Sequence, residues 1–62
     1  GEGTWIGEKA IILPGVKIGK KCVIGAGSIV TKSIPDFSIA VGNPAKIIKE
    51  YNFDTHEWEK RS

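Results

Sequence analysis

The chain has 62 residues, of which 26% are charged, with a formal net charge of +2 and a single cysteine. A domain of this size buries only about 60% of the surface that its unfolded chain exposes, so it forms one small domain at most. It has no apolar stretch of the ~18 residues that a membrane span needs, no secretory signal, and no second cysteine for an internal disulfide. We therefore expect a cytoplasmic protein with no membrane partner, and the start at Gly1 without a methionine suggests part of a longer chain.

Residues 6–35 repeat with a period of six. Each block opens on an apolar β-branched residue, at Ile6, Ile12, Ile18, Ile24 and Val30. A strand repeats every two residues and a helix every 3.6, so an amphipathic helix cannot keep one face on this period. Repeats of six are typical of parallel β-helices, in which each block supplies a short strand and a corner and three blocks close one coil. The sequence thus predicts fewer than two coils of a parallel β-helix, with these five side chains inside.

A second inward position falls four residues after the first. It holds small or apolar residues, namely Ala10, Val16, Cys22, Ser28 and Ile34. Small side chains suit a narrow core in which three walls converge. Cys22 is therefore predicted to be a small buried hydrophobe, with a reactive thiol as the alternative. Ordinary antiparallel β structure is a further alternative, but neither Asn-Gly nor Asp-Gly, two typical hairpin turns, occurs in the chain.

The predicted solenoid is short. Coils stack at ~4.8 Å, so fewer than two coils reach a height of only about 10 Å and leave strand edges exposed. Repeat architectures need about three units to close a continuous core. We expect this segment to depend on upstream coils, on partner chains, or on both.

The repeat is expected to end at Pro35, which lacks the N–H group for strand pairing and favours an extended residue before it. This divides the chain into hexapeptide-repeat coils over 1–35 and a C-terminal extension over 36–62. Residues 37–42 alternate apolar and small side chains and predict one more strand, followed by a turn at 43–44.

The end of the chain carries signals for a helix. Residues 46–51 predict a short strand or a helical turn. Asp54, with Glu57 three residues later, resembles a capping box, so a short helix is expected to begin there. Phe53 and Trp58 flank this helix start and are expected to pack the tail onto the rest of the protein.

Positive charge is concentrated in the first fifty residues. Residues 9–49 hold seven lysines and one acid, Asp36, whereas residues 50–62 hold four acids. A basic surface is either a solvated face or a site for an anionic ligand. Nucleic acid is disfavoured as a partner, because the lysines are dispersed and no stacking aromatics lie among them.

Three stretches of the chain together resemble a known family. They are Trp5-Ile6-Gly7, the run from Ile24-Gly25-Ala26-Gly27-Ser28 to Thr31-Lys32, and Gly42-Asn43-Pro44-Ala45-Lys46. In this order they are similar to the C-terminal part of the hexapeptide-repeat acyltransferases, and the nearest subgroup looks like the galactoside and maltose O-acetyltransferases. These proteins are left-handed β-helix homotrimers that move an acetyl group from acetyl-coenzyme A to a sugar-type acceptor. The resemblance implies an all-β fold, with a left-handed parallel β-helix, a short C-terminal strand and a helical tail.

The resemblance also implies contacts with coenzyme A at Ala26, Thr31, Lys32, Lys46 and Lys49. Ala26 falls at the small residue whose backbone meets the pantetheine arm, and Thr31 and Lys32 fall at the next contacts. Lys46 and Lys49 stand where the family often has arginines near the nucleotide phosphates, and lysine keeps the charge without the bidentate geometry. A simple corner role for Ala26 and a solvated face for the lysines remain alternatives.

No catalytic residue is assigned. In the family the general base is a histidine upstream of the Trp-Ile-Gly motif, and the one histidine here is His56, in the acidic tail. A base must lie within hydrogen-bond reach of the hydroxyl that it deprotonates. The resemblance makes the protein an acyltransferase, and it also implies that the acceptor-binding residues precede Gly1. Because the base and the acceptor site are both missing, this chain alone is predicted to be inactive.

Two other functions are considered on the same architecture. A zinc site of the γ-carbonic-anhydrase kind needs three convergent ligands, and one tail histidine does not supply them, so no metal site is predicted. A non-catalytic structural β-solenoid with an ice-binding surface needs a flat array of threonines, whereas only Thr4 and Thr31 lie near the repeats.

Overall fold

The structure of the protein is a computed structural model that describes residues 1–60. Within this range it is all-β, with seven strands and no helix. The strands are β1 (Trp5–Ile6), β2 (Ile11–Ile12), β3 (Val23–Ile24), β4 (Ile29–Val30), β5 (Ser38–Gly42), β6 (Ala45–Asn52) and β7 (Glu57–Lys60). The all-β class expected from the sequence is confirmed.

Short strands three blocks apart pair in parallel. Trp5 of β1 lies opposite Val23 of β3, 18 residues later, and Val23 lies opposite Ile39 of β5, 16 residues later. β2 and β4 pair in the same way, and a single parallel bridge joins Ile18 to Ile34 on a third side. The interpretation of the period of six, with three blocks between paired strands, is therefore confirmed.

The second round of three blocks is two residues shorter than the first. Ile12 and Ile18 are six positions apart, whereas their partners Val30 and Ile34 are only four apart. The shorter segment still stays in register, because Ile34 N donates a hydrogen bond to Lys17 O at 2.9 Å. The corner after β4 is therefore tighter than the corner after β2.

The expectation that the repeat ends at Pro35 is wrong for the strand pairing, which continues through β5. Ile34 makes both hydrogen bonds of its bridge, donating to Lys17 O and accepting from Gly19 N, so the missing N–H of Pro35 removes none of them. The Pro35 carbonyl accepts the Sγ–H of Cys22 at 3.1 Å. The division of the chain between residues 35 and 36 stays a prediction.

The predicted inward positions form the core. Five of them are buried, namely Cys22, Ile24, Ser28, Val30 and Ile34. Four from the first round are partly buried against this core, namely Ala10, Ile12, Val16 and Ile18. Ile6 is 47% exposed, because β1 is the outer strand of its sheet in the described residues. Full burial of an aliphatic side chain contributes about 1.5–3 kcal/mol, so most of the apolar stabilisation lies in the second round.

A left-handed backbone conformation recurs every six residues, at the corners. The backbone has positive φ at Gly3, Lys9, Gly15, Lys21 and Gly27, with values from 57° to 81°. The three glycines adopt this conformation without a Cβ penalty, whereas each lysine carries a cost of about 1–2 kcal/mol. The period of six thus reflects corner geometry as well as the core.

β6 extends the first sheet by antiparallel pairing. The five-stranded sheet runs β1-β3-β5-β6-β7, and β5 turns back into β6 through residues 43–44. The predicted strand over 37–42 and the predicted turn at 43–44 are confirmed. Residues 46–51, left open between a strand and a helical turn, belong to a strand.

The predicted helix in the tail is wrong. Residues 53–56 form a turn, and β7 returns along β6 with Tyr51 opposite Trp58. The rings of these two residues lie 5.4 Å apart, a contact that the extended hairpin makes possible. Asn52, and not Asp54, caps the turn, because its Oδ1 accepts the Asp54 N–H at 2.8 Å.

Candidate functional site

An open cleft lies where the corner between β1 and β2 stacks on the corner between β3 and β4. It has a volume of about 330 Å³ and is lined by Glu8, Lys9, Ala26 and Gly27. The two corners are stacked by a hydrogen bond from Gly27 N to Glu8 O at 2.9 Å. Ala26, predicted to contact coenzyme A, therefore lies in a cleft on the surface and is exposed.

Backbone forms much of this corner because Gly7 lacks a side chain. A Cβ at Gly7 would lie 2.5 Å from Ala26 N, closer than Cβ contacts allow, so the two corners stack backbone against backbone. Ala26 itself adds only a methyl group. A small, exposed corner of this kind offers its amide groups to a ligand that lies across it.

Thr31 and Lys32 lie on the shortened corner at the other end of β4, and both are exposed. β4 separates them from Ala26. Val30 faces the core and is fully buried, so the preceding Ile29 faces outward, beside the 52% exposed Ile11 of β2. An apolar outer surface thus connects the two corners.

Lys46 and Lys49 share the outer face of β6. Three residues apart, they would lie on opposite faces of a regular strand, but the pairing register shifts between Ile39 and Ala40, which leaves Ile48 as an extra residue on β6. Both lysines are exposed. Sequence alternation alone does not reveal this shared face.

The predicted contact residues form two groups. Lys46 lies opposite Val41, whose Cγ1 would be 2.6 Å from a Cβ at Gly25, so Lys46 and Ala26 lie near the same corner. Thr31 and Lys32 lie beyond β4, at the next corner. Their roles toward coenzyme A stay predictions.

Two lysines at these surfaces were not singled out from the sequence. Lys9 lines the cleft. Residues 18 apart are stacked in the first round, so Lys9 lies at the level of Gly27 and beside Ala26, and the period of six could have predicted this position. Lys60 of β7 lies opposite Lys49. Lys60 lies beside Lys49 because β6 and β7 form a hairpin. The sequence predicted a helix in the tail, so this pairing was not expected.

The histidine of the described residues lies away from the cleft. His56, in the exposed turn between β6 and β7, is not among the residues that line it. Over residues 1–60, no group of three or more His, Cys, Asp or Glu side chains is arranged to hold a metal ion. The same range contains no helix with the length and apolar character needed to cross a membrane.

The chain is similar to a known protein family and to a bacterial relative. Residues 1–32 match the family model of the bacterial transferase hexapeptide (six repeats). WbbJ of Escherichia coli (strain K12), assigned as an O-acetyl transferase of lipopolysaccharide biosynthesis, is 50% identical over 60 residues, which cover 97% of this chain and 31% of WbbJ.

The solved structures that resemble this chain are also acetyltransferases. A maltose O-acetyltransferase from Clostridium difficile 630 has a TM-score of 0.76 and 56% identity, over 77% of this chain and 26% of that one. A perosamine N-acetyltransferase variant from Caulobacter crescentus, in complex with CoA and GDP-perosamine, has a TM-score of 0.70 and 43% identity, over 71% of this chain and 21% of that one.

These proteins are acetyltransferases, and the names of several include a sugar. The chain spans less than a third of the length of each of them. The family match covers more than half of the chain and coincides with the repeats that pair in parallel. This chain belongs to the bacterial transferase hexapeptide family.

Proposed function

We propose that this chain is the cofactor-binding C-terminal section of an acetyl-CoA-dependent O-acetyltransferase that acts on a sugar or a polysaccharide precursor. The relatives that support this proposal are acetyltransferases, with a galactoside and maltose among the named acceptors. One solved relative binds CoA together with a nucleotide-linked sugar. The observation that carries the proposal is the open cleft at the corner of Ala26.

The cleft and the adjoining wall fit the pantetheine arm, in which amide groups alternate with short apolar stretches. Ala26 leaves backbone amides accessible at one end, and the outward Ile11 and Ile29 supply an apolar surface. Thr31 and Lys32 stand at the other end with an exposed hydroxyl and an exposed ammonium. In this proposal the arm lies along the wall between the two corners.

Lys46 and Lys49 are proposed to lie near the nucleotide phosphates of the donor. Their shared outer face lets both ammonium groups act on one anion. When bound, acetyl-CoA supplies an acetyl thioester, the group to be transferred. The residues of this chain bind and orient that donor, and the base and the acceptor-binding residues are proposed to lie elsewhere in the protein.

We further propose a left-handed β-helix that assembles as a homotrimer in the cytoplasm. The parallel pairing at 16 to 18 residues suits three blocks per coil. The outer apolar residues Trp5 (61% exposed) and Ile11 (52% exposed) leave surface for a neighbouring subunit to cover.

Acetyl transfer by the full-length protein is the direct test. The protein is incubated with acetyl-CoA and a panel of sugars, and release of the CoA thiol is measured. We expect release that depends on the sugar. Absence of both release and CoA binding would contradict the proposal.

The isolated 62-residue chain provides the second test. It is expected to release no thiol above background under the same conditions, because it lacks the base. Turnover by this peptide would show that the base has been misplaced.

A further inference from the structure

The C-terminal hairpin places two lysines and two aromatic rings on one face. Lys49 lies opposite Lys60, and Tyr51 lies opposite Trp58, with no shift of register between the two pairs. Residues two apart on a strand point to the same side of a sheet. The lysine pair and the ring pair therefore lie side by side, and these four residues form a basic aromatic face.

This basic aromatic face is the outer face of the sheet. Lys49 lies opposite Ile39 of β5, whose neighbours Ser38 and Ala40 are fully buried and point into the core. Ile39 therefore points outward, and so does Lys49, because residues opposite each other in a sheet share a face. Lys46 lies on the same outer face, so the positive charge continues along β6.

The acids of the two strands lie on the opposite face of the hairpin. Glu50 lies opposite Glu59, at positions that alternate with the lysines and the rings. Glu57 lies opposite Asn52 and points the same way as these two acids. The tail is acidic in composition, yet its outer face carries lysines. An anion at the outer face thus meets ammonium groups, with these carboxylates behind the sheet.

The lysine pair costs stability by itself and is favourable toward an anion. Like charges directly opposite each other destabilise a sheet, since Cβ atoms at such positions are only about 4.5–5.5 Å apart. Lys49 and Lys60 are both exposed, so an anion in solution can reach both ammonium groups. A phosphate between them offsets the repulsion, because it attracts both charges at once.

Trp58 supplies an aromatic surface beside the lysine pair. Its side chain is 42% exposed, and its ring packs edge-to-face on Tyr51, with centroids 5.4 Å apart. This contact fixes the orientation of the ring. Two residues along a strand span about 7 Å, so the ring pair and the lysine pair are separated by a distance comparable with that between base and phosphate in one nucleotide.

The order of groups along the sheet matches the order of groups along the proposed donor. In CoA the pantetheine arm leads to a diphosphate, which leads to a ribose carrying adenine and a 3′-phosphate. Lys46 lies near the corner of Ala26, at one end of the proposed path of the arm. Lys49, with Lys60 opposite, lies farther along β6, and the ring pair lies beyond them. The nucleotide of a donor bound at the corner is thus directed toward the basic aromatic face.

We propose that the basic aromatic face binds the 3′-phosphoadenosine part of CoA, with the 3′-phosphate between Lys49 and Lys60 and the adenine against Trp58. The inference rests on the proposed function, because it assigns a place to the nucleotide of the proposed donor. The face is two strands wide and three residues long, which suits one nucleotide better than a strand of nucleic acid. Lys60 then contributes to the preference for CoA over a donor that lacks the 3′-phosphate.

The test compares CoA with 3′-dephospho-CoA, which differ only in the phosphate assigned to the lysine pair. Both are titrated by calorimetry against the full-length protein without an acceptor, so that the outcome does not depend on acetyl transfer. We expect the wild type to bind CoA about fivefold more tightly. Lys60→Gln should weaken binding of CoA by about fivefold and leave binding of 3′-dephospho-CoA within about twofold of wild type, so that the preference is lost.

Substitution of Trp58 tests the adenine contact. Trp58→Ala should weaken binding of both ligands by about tenfold, because both carry the base. Trp58→Phe keeps an aromatic ring and should stay within about threefold of wild type. Far-ultraviolet circular dichroism verifies that each variant is folded, and Lys60→Gln keeps the test valid if Trp58→Ala is not.

The matched control is Lys17→Gln, which removes the same charge from an exposed residue beside the bridge of Ile18 and Ile34, on another side of the coil. It should leave both affinities unchanged. The proposal is overturned if the wild type binds the two ligands equally, if Lys60→Gln retains the preference for CoA, or if Lys17→Gln loses it to the same extent. A folded Trp58→Ala variant that binds as the wild type does overturns the adenine assignment. In each of these cases binding of CoA leaves the proposed function standing, whereas a protein that binds neither ligand contradicts both.

Discussion

The parallel ladders of residues 5–42 and the hairpin of β6 and β7 are stabilised by different contacts. In the ladders, each inward side chain lies over its equivalent from three blocks earlier, and Ile24, Val30 and Ala40 are fully buried. In the hairpin, all four residues of β7 are exposed, and ring contacts at 4.8–5.4 Å join the turn to the sheet.

Because of this difference in packing, the two regions are expected to respond differently to substitution. A stacked core resists local change, because each buried side chain contacts several layers. A hairpin held by surface rings can open while the rest of the protein stays folded. We therefore expect substitutions in the ladders to affect global unfolding, and substitutions in the hairpin to affect local opening and ligand binding.

The largest effect is expected from Ile24→Ala. Ile24 is 0% exposed, and removing its methyl groups leaves a cavity, so the free energy of unfolding of the full-length protein should fall by about 2–5 kcal/mol. Lys17→Ala is the control, because Lys17 is an exposed residue of the same region and should lose less than about 1 kcal/mol. Urea unfolding at one fixed protein concentration measures both variants. Equal losses would show that the buried stack does not dominate the ladders.

A smaller and more local effect is expected from Trp58→Ala. Loss of its edge-to-face contact with Tyr51 should destabilise the hairpin by about 1–1.5 kcal/mol. Amide hydrogen exchange should accelerate over residues 45–60 and stay unchanged over 23–30. Glu57→Ala, which alters an exposed side chain of the same strand, is the control. Faster exchange in both ranges would mean that the hairpin and the ladders unfold together.

Charge reversal tests the proposed contribution of β6 to donor binding. Lys46→Glu or Lys49→Glu in the full-length enzyme should raise the KM for acetyl-CoA and leave kcat nearly unchanged, because binding shared by ground and transition states is lost. Each exposed contact is worth up to about 1 kcal/mol, or about fivefold in KM. The effect should shrink as salt rises, since screening acts over about 8 Å at physiological ionic strength.

Lys20→Glu is the control for this pair, because Lys20 lies on a corner that does not line the cleft. If both reversals leave the KM for acetyl-CoA unchanged at low salt, the lysines of β6 form a solvated face and the phosphate assignment fails.

The ladders could be predicted because their signal is local and repeated. One apolar residue every six positions identifies the inward side chains. The predicted inward positions from Cys22 to Ile34 are buried in the structure. The sequence did not predict that the second round is two residues shorter. Pro35 suggests the end of strand pairing, and only the structure shows the bridge between Ile18 and Ile34 that precedes it. Proline stops pairing only where its N–H group is needed.

The hairpin could not be predicted in the same way. Asp54 and Glu57 fit a capping box, but the side chain of Asn52 already satisfies the turn, and Trp58 gains a ring partner only in an extended strand. The shared face of the β6 lysines depends on the extra residue Ile48, which alternation does not reveal. Long-range pairing therefore decided both the tail and part of the candidate site.

The smallest expected effect separates two lysines that share a corner conformation. Lys9 and Lys21 both have positive φ, 61° and 57°, but only Lys9 lines the cleft. Replacing either with glycine relieves the left-handed cost, and the greater freedom of glycine in the unfolded chain offsets part of that gain, so each variant should gain about 0.5 kcal/mol of stability. Lys9→Gly should also raise the KM for acetyl-CoA by about twofold, because an exposed cation leaves the cleft, whereas Lys21→Gly should leave the KM unchanged. Thermal unfolding and donor titration of both full-length variants measure the two effects together. An equal change of KM in the two variants would show that the charge of Lys9 acts through the whole basic surface and not through the cleft, and loss of stability in both would show that the lysine side chains hold the corners in place.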